Sequence, residues 1–158
     1  MKLKKLRLAF IFVIISEAAG ATGSIFTASA IPAWYVTLQK PAFNPPNFIF
    51  APVWTILYFL MGISAFLVFE KGFAKKEVRF ALLVFALQLI LNVLWSFVFF
   101  GLKSPSLAFL EIIILWVSIL ATIFYFYKIS KPASYLLIPY LFWTTFAAFL
   151  NFAIFRLN

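Results

Sequence analysis

Five apolar runs, each long enough to cross a bilayer, fill most of this chain: residues 8–31, 51–69, 80–100, 107–127 and 135–155. A helix needs about 20 apolar residues to span the hydrocarbon core. It satisfies its own backbone hydrogen bonds, as lipid requires. The runs therefore predict an all-α membrane protein, a bundle of five transmembrane helices (spans 1 to 5) with a long structured loop between the first two. Hydrophobic residues are 66% of the 158 and charged residues 11%, so no stretch is polar enough for a separate water-soluble domain. A single membrane domain, 1–158, is the expectation.

Several chemistries are excluded at once. The chain has no Cys, His or Asp, which removes disulfides, thiolate nucleophiles and imidazole catalysis. Zinc lacks its usual ligands, and axial haem ligation falls back on Met61 or a tyrosine. No metal site and no obligatory cofactor are expected.

The net charge is +9, and its distribution reads as topology. Lys2, Lys4, Lys5 and Arg7 precede span 1; Lys71, Lys75, Lys76 and Arg79 lie between spans 2 and 3; Lys128 and Lys131 lie between spans 4 and 5. The opposite side has only Lys40, Lys103 and Arg156. In a bacterial inner membrane the positive-inside rule then puts the N-terminus in the cytoplasm, and the basic residues meet anionic lipid rather than nucleic acid. Met1–Arg7, an apolar run and Ala28-Ser29-Ala30 also resemble a signal peptide. The run is long for that, and Glu17 interrupts it, so a first membrane span is the preferred reading.

The segment 32–50 differs from the rest. Pro32, Pro41, Pro45 and Pro46 restrict its backbone to extended and turn conformations. Trp34, Tyr35 and Phe43 suit a headgroup-level belt, and a long loop of fixed geometry also suits a lid. The remaining loops are short, so consecutive spans are antiparallel neighbours.

Helical periodicity sorts the faces. Span 1 gathers Ser16, Gly20, Gly23, Ser24 and Thr27 into a small-residue stripe, read as a packing seam. Span 2 aligns Trp54, Tyr58, Met61 and Ala65; span 3 aligns Gln88, Asn92, Trp95 and Ser96; span 5 aligns Tyr140, Trp143, Thr144, Ala147 and Asn151. Amides are expensive in lipid, so Gln88, Asn92 and Asn151 are expected to face inward. They either glue helices together or orient a flat apolar ligand in an aromatic-walled pocket. Pro139 is expected to kink span 5. Glu17 and Glu111 are the only acidic groups within the spans. They are candidates for a proton path or a catalytic pair. The competing reading places Glu111 one turn from its helix start, favoured by the dipole and within reach of headgroups.

These residues resemble the TspO/translocator-protein family, also called tryptophan-rich sensory proteins or the peripheral benzodiazepine receptor family. The motifs run in order along nearly the whole chain. The loop reads Trp34-Tyr35-x-x-Leu38-x-Lys40-Pro41-x-Phe43-x-Pro45-Pro46, and span 2 opens Ala51-Pro52-Val53-Trp54-x-x-Leu57-Tyr58-x-x-Met61-Gly62. Span 3 has Gln88-Leu89-x-Leu91-Asn92-x-x-Trp95-x-x-x-Phe99-Phe100-Gly101; span 5 has Pro139-Tyr140-Leu141-x-Trp143-x-x-Phe146-Ala147-x-x-Leu150-Asn151, closing on Arg156-x-Asn158.

The resemblance implies a ligand cavity under the first loop. It implies a receptor or sensor binding porphyrins (protoporphyrin, haem), and possibly sterols such as cholesterol or benzodiazepine-type ligands. Common among such proteins are homodimers. With the stripes above, the candidate ligand-binding residues are Trp54, Tyr58, Gln88, Asn92, Trp95, Tyr140, Trp143, Ala147 and Leu150, with Trp34, Pro41, Pro45 and Pro46 as lid. Lys40 is placed at the mouth, facing a carboxylate of the ligand. Phe152 stands where the family's sterol motif has a tyrosine, and Leu107 where some members have a tryptophan, making that wall less aromatic. Two alternatives stay open. One is light- or oxygen-dependent breakdown of porphyrin, in which only a redox-active Trp or Tyr could take part, with Trp54 and Trp143 as candidates and no firm catalytic residue. The other is transport of porphyrin or sterol.

Overall fold

The computed structural model describes Lys2–Asn158, with Met1 outside the described residues. All five expected spans are helices long and apolar enough to cross a membrane: Leu3–Ala33, Asn47–Phe69, Lys76–Gly101, Pro105–Ile129 and Lys131–Leu157. The first span is α1 (Lys2–Ala33), the second α2 (Phe50–Phe69) and the third α3 (Lys76–Ser96), which runs into a π turn, Phe97–Gly101. The fourth is α4 (Pro105–Ile129), and the fifth is divided into α5 (Lys131–Leu136) and α6 (Ile138–Leu157). The protein is an integral, multi-pass membrane bundle.

Its surface is apolar, as lipid demands. Phe10, Ile14 and Ile25 on α1, Leu83, Leu87 and Ile90 on α3, and Leu110, Ile114 and Val117 on α4 are all exposed. Polar side chains turn inward: Gln88, Asn92 and Asn151 are buried, as expected, and so is Thr144.

The fifth span is interrupted beside Pro139, as a break at Leu137 between two helices. Pro139 sits in the first turn of α6, where a missing N–H breaks no helical hydrogen bond. The chain resets at Leu137, whose N–H donates to Ser134 O at 3.1 Å. Ser64 Oγ on α2 then donates to Ala133 O at 2.7 Å and ties the short α5 down.

Two packed clusters divide the interior. One, built on Met61, Ala65, Phe85, Ile112, Ile119, Phe126 and Tyr140, fills the half next to the α2–α3 turn. The other joins Tyr35, Phe99, Ala108, Leu150 and Ile154 under the first loop. The Lys5–Glu70 ion pair, at 2.8 Å, closes the α1–α2 corner of the first half.

Close approach of α1 and α2 depends on Gly62. A Cβ there would meet Val13 Cα at 2.5 Å and Phe12 O at 2.9 Å, both backbone atoms that have no rotamer by which to retreat. Gly62→Ala is therefore expected to push the two helices apart, costing about 1–3 kcal/mol. A thermal unfolding midpoint in detergent unchanged from wild type would contradict this.

Candidate functional site

Between the two clusters lies a cavity of about 530 Å³. Four of the five spans and the loop line it, and α4 contributes nothing. Along α1 the lining runs from Glu17 to Ile31, about 21 Å of helix at 1.5 Å per residue. Ala21 and Ser24 of α1 and Ala51 and Thr55 of α2 line the cavity and are exposed, so it opens sideways between these two helices.

Six of the nine expected ligand-binding residues reach it: Trp54, Tyr58, Trp95, Trp143, Ala147 and Leu150. Trp54 stacks on Tyr58 at 5.5 Å and meets Tyr140 edge-on at 6.1 Å. Trp95 stacks on Phe99 at 5.1 Å, and Trp143 meets Phe50 edge-on at 5.9 Å. These contacts hold the walls rigid, each adding about 0.5–1.5 kcal/mol beyond area burial.

The other three, Gln88, Asn92 and Tyr140, lie behind the wall and do not line the cavity. Asn92 accepts a hydrogen bond from Tyr58 Oη and donates through Nδ2 to Tyr140 Oη at 2.9 Å. That chain joins α2, α3 and α6, so for Asn92 the helix-gluing alternative holds. Asn151 does touch the cavity, but its Oδ1 accepts from Trp95 Nε1 at 3.1 Å and its Nδ2 donates to Pro105 O at 2.7 Å. Both amides thus orient aromatic wall residues. Gln88 is buried with neither its oxygen nor its nitrogen paired.

The expected lid residues also stand one layer back. Trp34, Pro41, Pro45 and Pro46 do not line the cavity; Tyr35, Asn47 and Phe50 do. Trp34 packs edge-on against Phe99 at 5.6 Å. Pro41 and Pro45 offer their carbonyls to Asn44 N and Asn44 Nδ2, each at 3.0 Å. Asn44 Oδ1 in turn accepts from Tyr35 Oη at 2.7 Å. The prolines shape the loop and Tyr35 delivers it to the cavity. Burial pushes the Tyr35 phenol up to about 12, so it remains a donor throughout the physiological range. Asn158 latches the same loop: Gln39 N donates to its Oδ1 and its Nδ2 donates to Gln39 O, both at 3.0 Å.

Lys40 does not line the cavity. Its Nζ donates to Leu38 O at 3.1 Å and lies 4.7 Å above the Tyr35 ring. Leu107 is exposed away from the cavity, so its size has no bearing on a cavity wall. Glu111 lies in the second turn of α4 and is buried with both oxygens unpartnered; it does not reach out to headgroups.

The largest surprise is α1. Gly20, Gly23, Ser24 and Thr27, the expected packing seam, also form one cavity wall together with Glu17, with Gly20 packed on Tyr58 and Gly23 on Ser96. A Cβ at Gly20 would strike the Tyr58 ring, so the glycine leaves room for the aromatic floor. Ser24 Oγ and Thr27 Oγ1 donate to Ala21 O at 2.7 Å and Ser24 O at 3.2 Å. Their donors are therefore spent within the helix. Phe99 and Phe100, part of the span 3 motif but outside the expected site residues, also line the cavity from the π turn. The stripe of small residues was the available signal for α1, whereas nothing in the periodicity announces a π turn.

Comparison with known proteins places this arrangement. The TspO/MBR family profile matches residues 12–157. The chain belongs to the TspO/MBR family. It is 47% identical to tryptophan-rich protein TspO of Chlorobaculum tepidum, over 89% of each chain. With the protein of the same name from Archaeoglobus fulgidus it shares 48% identity, over 89% of this chain and 90% of the relative. The human translocator protein is 36% identical over 86% of this chain and 81% of its own.

The buried amides of this TspO/MBR protein separate two energetic cases. Asn92→Ala strands the Tyr58 and Tyr140 hydroxyls and is expected to cost about 1–3 kcal/mol for each. Gln88→Leu removes an amide that has no partner and should be neutral or stabilising. Thermal unfolding of the two variants in one detergent checks the ordering, and equal losses would contradict it.

Proposed function

We propose that this TspO/MBR protein is a receptor-type binder of flat, largely apolar small molecules of the porphyrin class. The observation that carries the reading is the cavity of about 530 Å³ with Trp54, Trp95 and Trp143 in its walls. That volume lies within the usual range for small-molecule sites, which are mostly apolar with few polar groups. The resemblance to porphyrin-binding members points the same way.

Shape and stacking hold the porphyrin, not a metal bond. The chain has no His or Cys, Met61 is fully buried in the core, and Tyr58 Oη is engaged with Asn92. Metal-free protoporphyrin is therefore expected to bind at least as well as haem, measured by tryptophan-fluorescence quenching in purified protein. Trp143→Phe should weaken binding about 2- to 10-fold, the loss of one stacked contact. A wide margin in favour of haem would overturn the metal-independent reading, and no quenching at all would overturn the site.

The basic residues at the α2–α3 and α4–α5 turns support a cytoplasmic N-terminus. Phe73 in the first of these turns and Val36 in the long loop are both exposed. Because the chain has no cysteine, Phe73→Cys and Val36→Cys each supply a single label site. In intact cells a membrane-impermeant maleimide is expected to reach Val36→Cys only; the reverse pattern inverts the topology.

A further inference from the structure

Glu17 is the only acidic residue on the cavity wall, and no Lys or Arg joins it there. Among the described residues the only ion pair is Lys5–Glu70, outside the cavity. Glu17 stands at the middle of the first span, at the inner end of the cavity and across from Tyr58. Intramembrane carboxylates ordinarily pair with a cation or face water. Here no cation lines the cavity, and Tyr58, the hydroxyl across from Glu17, already donates to Asn92.

A neutral ligand filling the inner end would strip water from Glu17 and return nothing. A ligand carboxylate there would add repulsion. A protonated nitrogen would supply both counter-charge and donor, and hydrogen bonds to charged groups are the stronger ones. The geometry points to Glu17 as the counter-ion for an ammonium group on a flat aromatic ligand, whose apolar body lies between Trp54 and Trp143. For a porphyrin the same group dictates direction: the acidic edge faces the loop and the apolar edge faces Glu17. This rests on the reading of the cavity as a ligand site.

The test titrates purified protein at neutral pH with three probes, each followed by tryptophan quenching. They are a tricyclic aromatic with a dimethylaminoalkyl side chain, its uncharged isostere with carbon in place of nitrogen, and protoporphyrin. Wild type is expected to bind the amine roughly tenfold or more tighter than the isostere. In Glu17→Gln that preference should collapse to near parity, with Glu17→Ser as the second variant should the first not fold. Parity in wild type overturns the inference, as does a preference that survives both substitutions. In either case quenching by protoporphyrin leaves the cavity reading standing. If none of the three probes quenches, the cavity reading falls and the inference falls with it.

Discussion

The chain of hydroxyl and amide groups from Tyr58 through Asn92 to Tyr140 is the contact on which the site depends. It crosses three helices with two hydrogen bonds, in a solvent where apolar attraction between helices is nearly absent. Lipid tails solvate leucine as well as another leucine does, so shape and polar pairing decide how the helices meet. By holding Tyr58, Asn92 sets the floor of the cavity. Trp54, stacked on Tyr58 and edge-on to Tyr140, takes its orientation from the same group. The residues that contact the cavity are thus placed by residues that do not.

The same division of labour recurs at the other end. Asn151 aligns Trp95, Asn44 aligns Tyr35, and Asn158 clamps the loop backbone at Gln39. Each amide uses both its oxygen and its nitrogen on protein partners. The chamber they leave is largely aromatic, with Glu17 as its one carboxylate. The void survives because its walls are braced from behind, so collapse would require breaking buried hydrogen bonds with no water nearby to replace them.

Much of the site could be read in order along the chain. Trp54, Tyr58, Trp95, Trp143, Ala147 and Leu150 follow from helical periodicity and motif. The residues that stand behind the cavity wall have a common feature. Gln88, Asn92 and Tyr140 share a helix face with true lining residues, but a face spans both the cavity and the packing behind it, and depth along the bundle is invisible to periodicity. The loop prolines pose the same difficulty: a residue that shapes a segment and one that presents it look alike in sequence. On α1 a stripe of glycine and serine suits tight packing or an open wall equally well, and the answer depends on whether the partner opposite is backbone, as at Gly62, or the Tyr58 ring, as at Gly20.

By itself the sequence determined that this is a five-span membrane protein, which residues turn inward, and which family it joins. The reason is that lipid imposes a length and a polarity that each helix must meet alone. Only the tertiary structure decided where the interior stays empty, which amides brace and which surfaces face the void, and that Glu17 stands there without a cation. Those outcomes depend on the relative depth and rotation of helices distant in sequence, and no single helix encodes its own register against the others.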